Sequence, residues 1–224
     1  MGQGASSQPG LAQVFGPQAN VVPLKAAIGR FGDATDNVRE ALVAITAASA
    51  DDVLSHLQPQ AHNFTHYFES EPAASDAARE GRFVLFLSDL PPLPDTCGPR
   101  RKRLFIAVRG SVNVHSWSEN LNAFPAVTSG GVFKADWYTK AQHCPQSLVL
   151  KYVEEGYTPI VCGHGLGGAV ATIVAYELLT HAATYPASSP LHQLQCITVG
   201  APLSVTELSI RAMPYHGAHF YNFV

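Results

Sequence analysis

Charged residues are scarce in this sequence. Asp, Glu, Lys and Arg together make up 14% of its 224 residues, well under the roughly 25% of an average soluble chain. Neither sign dominates: 14 Lys and Arg stand against 17 Asp and Glu, which removes the global basic footprint of a nucleic-acid binder. Cysteine is sparse too. Cys97, Cys144, Cys162 and Cys196 contain no C-x-x-C pair, so no metal site is expected. Cys162 and Cys196 fall inside apolar runs and read as core thiols. Long apolar runs are missing, and none approaches the roughly 18 residues of a membrane-spanning helix. The opening residues, MGQGASSQPGLAQVFGPQAN, lack the charged start and apolar stretch of a secretory signal. The expected location is therefore cytoplasmic, not secreted.

What the chain does have is apolar content. At 46% hydrophobic it cannot be disordered throughout. At this length one large domain buries roughly 70–75% of its unfolded surface. Low charge with high apolar content implies a large core, strands buried on both faces, or an apolar face that meets something.

The N-terminus carries a second kind of signal. Met1-Gly2-Gln3-Gly4-Ala5-Ser6 fits M-G-x-x-x-[ST], the pattern for N-myristoylation at Gly2; the plainer reading is a tail of small residues. One myristoyl chain binds a membrane weakly, at roughly 10⁴ M⁻¹, so membrane association needs a second element. Arg100-Arg101-Lys102-Arg103 is the candidate polybasic patch, with a solvated loop ahead of a strand as the plainer alternative.

Organisation follows from composition and period. Residues 1–20 read as a flexible tail and 21–81 as an N-terminal helical region. There, Ala34-Thr35-Asp36 caps a helix with Val38, Ala41, Leu42 and Ile45 at helical spacing. From 82 to 224 strands and helices alternate. Arg82–Leu87 and Arg103–Val108 read as strands of a hairpin. Val132–Glu155 reads as one long amphipathic helix, broken, if anywhere, at Pro145. Pro159–Cys162 reads as a strand, Leu166–Leu179 as a helix and Leu194–Val199 as a strand. A helix over 205–212 and a last strand at His219–Val224 complete the pattern. Such alternation implies an α/β fold with a mostly parallel sheet covered by helices on both faces.

The informative stretch is TPIVCGHGLGGAVATIVA, Thr158 to Ala175. A strand enters a glycine-rich turn and a helix leaves it. One reading is a dinucleotide site, because Gly163, Gly165 and Gly168 spell G-x-G-x-x-G in the right context. That site needs an acidic residue about 20 positions on, for the ribose. No Asp or Glu occurs between Glu177 and Glu207. The other reading is a nucleophile elbow, G-x-S-x-G on a sharp strand-to-helix turn, with Gly163-His164-Gly165-Leu166-Gly167 as its frame.

Separated segments favour the elbow. Ile106-Ala107-Val108-Arg109-Gly110-Ser111 precedes it, followed by Ser116-Trp117 and Asn120-Leu121. Gly131-Val132-Phe133 comes next, and Val199-Gly200-Ala201-Pro202 follows the elbow. In this order they closely resemble the class 3, fungal-type triacylglycerol lipases, a family of α/β-hydrolases. The match runs from about Arg103 to Val224. The resemblance implies carboxylic-ester hydrolysis of acylglycerols as the family reaction, lipid or an acyl ester as partner, and no cofactor. It places Ser111 in the oxyanion hole, with the backbone N–H of Leu166 as the second donor. Gly163 and Gly167 flank the elbow, and His164 is a structural neighbour of the nucleophile, not the base.

The departures are chemical. Gly165 stands where the resemblance places the nucleophilic serine, and glycine has no hydroxyl with which to form an acyl-enzyme. The order in such hydrolases is Ser, Asp, His. Asp136 is the last aspartate here, and the family's aspartate and histidine fall beyond a strand resembling His219–Val224. The expectation is a C-terminally incomplete, lipase-like core that is catalytically inactive as written. A shortened form of a working enzyme stays open, as does a membrane-attached lipid- or protein-binding module on a hydrolase scaffold. The centre of an elbow has positive φ, which glycine adopts freely while another residue stores about 1–3 kcal/mol of strain. Gly165→Ser in this 224-residue chain is therefore expected to be slightly destabilising and to leave hydrolysis absent. Ester turnover by that variant, followed with a short-chain fatty-acid ester, would contradict this reading.

Overall fold

Two strands with near-continuous apolar runs lie at the heart of the fold. The computed structural model describes residues 34–50, 53, 64–69, 81–90, 100–110, 125–128, 131–202 and 220–223. Gly2, Cys97, Ser111, Trp117 and the expected helix over 205–212 lie outside these. Strand β2 (Phe83–Leu90) pairs antiparallel with β3 (Arg101–Val108), Phe83 opposite Val108 and Leu90 opposite Arg101, which is the hairpin that the sequence predicts. Both are buried on two sides. Phe83, Leu85, Leu104 and Ile106 enter one core, and Val84, Phe86, Phe105 and Ala107 enter the other. Period-2 placement on a sheet covered twice accounts for the near-continuous apolar runs.

The sheet extends from this hairpin in both directions, in the order β1-β2-β3-β6-β7-β8. β6 (Thr158–His164), β7 (Gln195–Val199) and β8 (Phe220–Phe223) add parallel to β3. β1 (Phe64–Glu69) adds antiparallel to β2. The central sheet is thus mixed, with its parallel part where the sequence places it. β1 corrects the reading of 21–81 as helical. Its FTHYFE alternation is short and flanked by polar residues, and the pairing is sealed by Phe64 against Phe86 and Phe105, with ring centroids 5.1 and 5.4 Å apart.

Helices cover both faces. α1 (Ala34–Ser49) lays Val38, Ala41, Ala44, Ile45 and Ala48 on one of them. The expected long helix over Val132–Glu155 is instead three elements. β4 (Pro125–Thr128) and β5 (Gly131–Lys134) form a separate hairpin, α2 (Ala135–Ala141) follows, and α3 (Gln146–Glu154) starts after Pro145 as its N-cap. Phe133 is pulled into β5 because its ring packs on Tyr138 and edge-on to Tyr176, at 5.4 and 5.5 Å. α4 (Leu166–Ala182) is apolar nearly all round and is the centre of the opposite core. Its Ile173 and Leu178 are fully buried, each contributing roughly 1.5–3 kcal/mol. A short 3₁₀ turn at Pro190–Gln193 leads into β7. Cys162 and Cys196 are buried free thiols, as expected. Burial raises the pKa of both, that of Cys196 to about 12, which keeps them protonated and inert. No helix of the described residues is long and apolar enough to cross a membrane.

One polar device crosses the α1 interface. Arg103 on β3 is 5% exposed, and its guanidinium meets the Glu40 carboxylate at 2.8 Å. It also donates to Asn37 Oδ1 at 2.6 Å, while Asn37 Nδ2 donates to Gln195 Oε1 at 3.0 Å. Burial pulls the Arg103 pKa down, against the raising pull of Glu40. Removing one partner leaves a buried charge, which typically costs about 3–5 kcal/mol. Glu40→Ala is thus expected to lower stability by that amount in urea unfolding. The double replacement Glu40→Leu with Arg103→Met is expected to lose less than either single change.

Candidate functional site

A single residue turns the chain from strand to helix. β6 ends at His164, α4 begins at Leu166, and Gly165 between them has φ +54° and ψ −122°. L side chains seldom enter that region. The turn is held from two sides: the Gly165 N–H donates to Val199 O at 2.9 Å, and Gly165 O accepts from the Ala169 N–H at 3.1 Å. The first tie binds the turn to β7 and the second closes the first turn of α4.

Backbone contact fixes the other glycines. A Cβ on Gly167 would stand 2.3 Å from Val108 O and 2.8 Å from Gly110 N. On Gly163 it would stand 2.4 Å from the Gly167 carbonyl, on Gly110 2.7 Å from His164 O, and on Gly168 2.7 Å from Ala201 Cβ. These distances are shorter than real Cβ contacts allow, so the exits of β3, β6 and β7 converge on the first turn of α4 with glycine at each meeting. At Gly165 a Cβ would meet no atom of the described residues within 4 Å. Only the dihedral angle disfavours a side chain there.

The electrostatics follow from the helix. The N–H groups of Leu166, Gly167 and Gly168 precede the first intrahelical donor, the Ala169 N–H, and Gly165 brings no side chain to cap them. The α4 dipole adds a partial positive charge, about +0.5, at the same place. The Leu166 side chain is core, 3% exposed, so what it offers the turn is its backbone. His164 is exposed, with Nε2 3.9 Å from where a Cβ on Gly200 would sit. No group of three His, Cys, Asp or Glu among the described residues is placed to hold a metal ion.

The structure places Gly163, His164, Gly165, Leu166 and Gly167 together where β6 passes into α4. Ser111 and Gly2 lie outside the described residues, but Gly110, next to Ser111, is packed against His164 O. Gly110, Gly168 and Gly200 are motif letters in the sequence, which alone shows no contact that would assign them to the site. Asn222 carries no sequence signal, yet it binds both backbone polar groups of Ala201.

The basic run is elsewhere. Arg103 is opposite Thr158, at the start of β6, about 20 Å from the elbow at the rise of a strand. Arg100 donates to Asp89 at 2.8 Å, Arg101 pairs with Asp36 at 3.6 Å, and Lys102 donates to Glu155 O at 3.1 Å. Arg103 is buried against Glu40 and is therefore not part of a surface patch. The expected loop is mostly strand, because β2 and β6 pair on either side of it.

A mixed sheet whose parallel strands exit at a glycine-framed strand-to-helix turn is the arrangement of an α/β-hydrolase fold. Residues 105–224 match the family described as lipase (class 3), and the chain belongs to that family. It is 35% identical over 86 residues to the secreted mono- and diacylglycerol lipase 1 of Fusarium solani, a stretch covering 35% of this chain and 26% of that protein. It therefore spans about a quarter of that relative's length. The lipase of Rhizopus microsporus var. chinensis superposes with a TM-score of 0.56 at 17% identity, over 96% of this chain and 71% of that one. A fungal lipase in complex with an inhibitor gives 0.56 at 16%, over 84% and 71%. Both likenesses concern the fold.

The two kinds of glycine predict opposite responses. Gly167→Ala drives a methyl into backbone and is expected to cost more than about 4 kcal/mol, at the extreme end of single substitutions. Gly165→Ala adds only the dihedral strain, about 1–3 kcal/mol. Urea midpoints of the two variants measure the difference directly.

Proposed function

We propose that this chain is a lipase-like protein that keeps the framework of the ester-binding turn but does not hydrolyse. The observation that carries the reading is Gly165. It has positive φ, a Cβ built on it would meet no atom of the described residues within 4 Å, it stands at the centre of the turn where the family pattern calls for serine, and it supplies no hydroxyl. Without that oxygen no tetrahedral adduct forms at the centre of the turn and no acyl group is transferred there. The Leu166 N–H remains a donor at the head of α4, suited to the carbonyl oxygen of a bound ester. An aligned donor in a transition state is worth roughly 3–4 kcal/mol, and in a ground-state complex its effect reduces to orientation. Acylglycerols are the proposed ligand class, since the Fusarium relative is named for mono- and diacylglycerols.

The membrane-attached module draws no support from the described residues: Arg103 is buried, and the other three cations of the run have partners within the chain.

A serine-directed alkyl phosphonate with a short-chain ester assay tests the proposal. The expected result is no covalent adduct by mass spectrometry, no turnover, and saturable binding of a non-hydrolysable ether analogue of a monoacylglycerol. A phosphonate adduct on any residue of the chain would overturn it.

A further inference from the structure

The wall of the elbow on the β7 side has an anchor of its own. β7 leaves the sheet at Val199, and Gly200-Ala201-Pro202 then passes α4, with Ala201 Cβ 2.7 Å from where a Cβ on Gly168 would lie. A displacement of Ala201 therefore changes the packing at the head of α4. Gly200 is tied to β8 through its N–H to Phe223 O at 2.7 Å, but Ala201 lies past the last backbone pair of β7 and β8, Val199 with Phe223. Its two polar backbone groups are taken by one side chain. The Asn222 carboxamide donates from Nδ2 to Ala201 O at 3.1 Å, and its Oδ1 accepts from the Ala201 N–H at 3.3 Å. The same Oδ1 accepts from Thr198 Oγ1 at 3.0 Å, and Thr198, opposite Asn222 in the ladder, packs against Gly168 as well.

We infer that Asn222 is a positioning residue for the proposed ester-binding turn, holding Ala201 against the head of α4 by a carboxamide that stands in for a peptide group. This rests on the reading of the turn as the ligand site. The chemistry is specific. A side chain must donate to a carbonyl and accept from an amide at once, which an amide does and a carboxylate does not. Asn222→Asp keeps size and shape, retains the acceptor, and sets a negative charge against Ala201 O. Protonation of that carboxyl restores a donor.

Amide exchange, referred to wild type at the same pH, separates this role from space filling. At about pH 7.5, Asn222→Asp is expected to speed exchange at Ala201 and Gly165 by about tenfold, with core amides such as Ile173 unchanged. Near pH 4, where a carboxyl pressed against a carbonyl is largely protonated, the difference is expected to fall below about twofold. Asn222→Ala, which loses both bonds, exchanges faster at both pH values. Binding of the monoacylglycerol ether analogue weakens about tenfold in Asn222→Asp at the higher pH and recovers at the lower, in step with exchange. An Asp variant that exchanges and binds as wild type at both pH values, or an Ala variant that does, overturns the inference. Failure of the wild-type chain to bind the analogue counts against the ligand reading alone, and the exchange profile still decides the role of Asn222.

Discussion

The structure depends on backbone meeting backbone at the head of α4. Val108 O lies only 2.3 Å from where a Cβ on Gly167 would be, and the Gly167 carbonyl 2.4 Å from one on Gly163. No side chain fits between these segments. The approach brings a buried helix N-terminus, three strand exits and two positive-φ glycines, Gly165 and Gly200, together, and it determines where the N–H groups of the first turn point. Everything functional proposed for the chain follows from that convergence. The sheet supplies the direction, and the apolar α4, buried along its length, is held in place by the core.

The two ends of the parallel strands carry different physics. At the C-terminal end, glycine lets backbone pack directly on backbone. At the other, cations and carboxylates stitch the N-terminal helix and neighbouring loops to the sheet. The Arg103–Glu40 pair belongs to this second group. A buried ion pair gives little net stability compared with an apolar pair of similar volume, but it fixes how α1 sits across β3 and, through Asn37 and Gln195, relative to β7. The low charge fraction of the sequence thus has two sources: strands buried on both faces, and a helix with almost no polar side.

Much of this was legible in the residues. Strands of alternating or unbroken apolar character, the hairpin of β2 with β3, and the strand–turn–helix around Gly165 follow from local pattern. What was hidden depended on distant contacts. β5 was lost inside an apparent helical period, because the signal that makes Phe133 a strand residue is its packing on Tyr138 and Tyr176. β1 was lost because a short strand at a sheet edge gains its order from partners distant in the chain. The run Arg100–Arg103 reads identically whether solvated or paired, and partners elsewhere in the chain, Asp36 and Glu40 on α1 with Asp89 and Glu155, decide. At the site, G-x-G-x-G showed where the turn is but not which glycine is required by contact and which by dihedral angle. Asn222 was invisible, since one asparagine in a short strand has no pattern.

The central claim is that the turn at Gly165 receives an ester and leaves it whole. The most direct measurement follows both molecules at once: NMR of the protein's amides and of the ester protons while a monoacylglycerol is titrated into the full chain. The account predicts a saturable shift at the Leu166 and Gly165 amides, with the ester signals undiminished over the time of the experiment. Loss of the ester with appearance of free fatty acid, or saturation with shifts confined to residues remote from the head of α4, would contradict it.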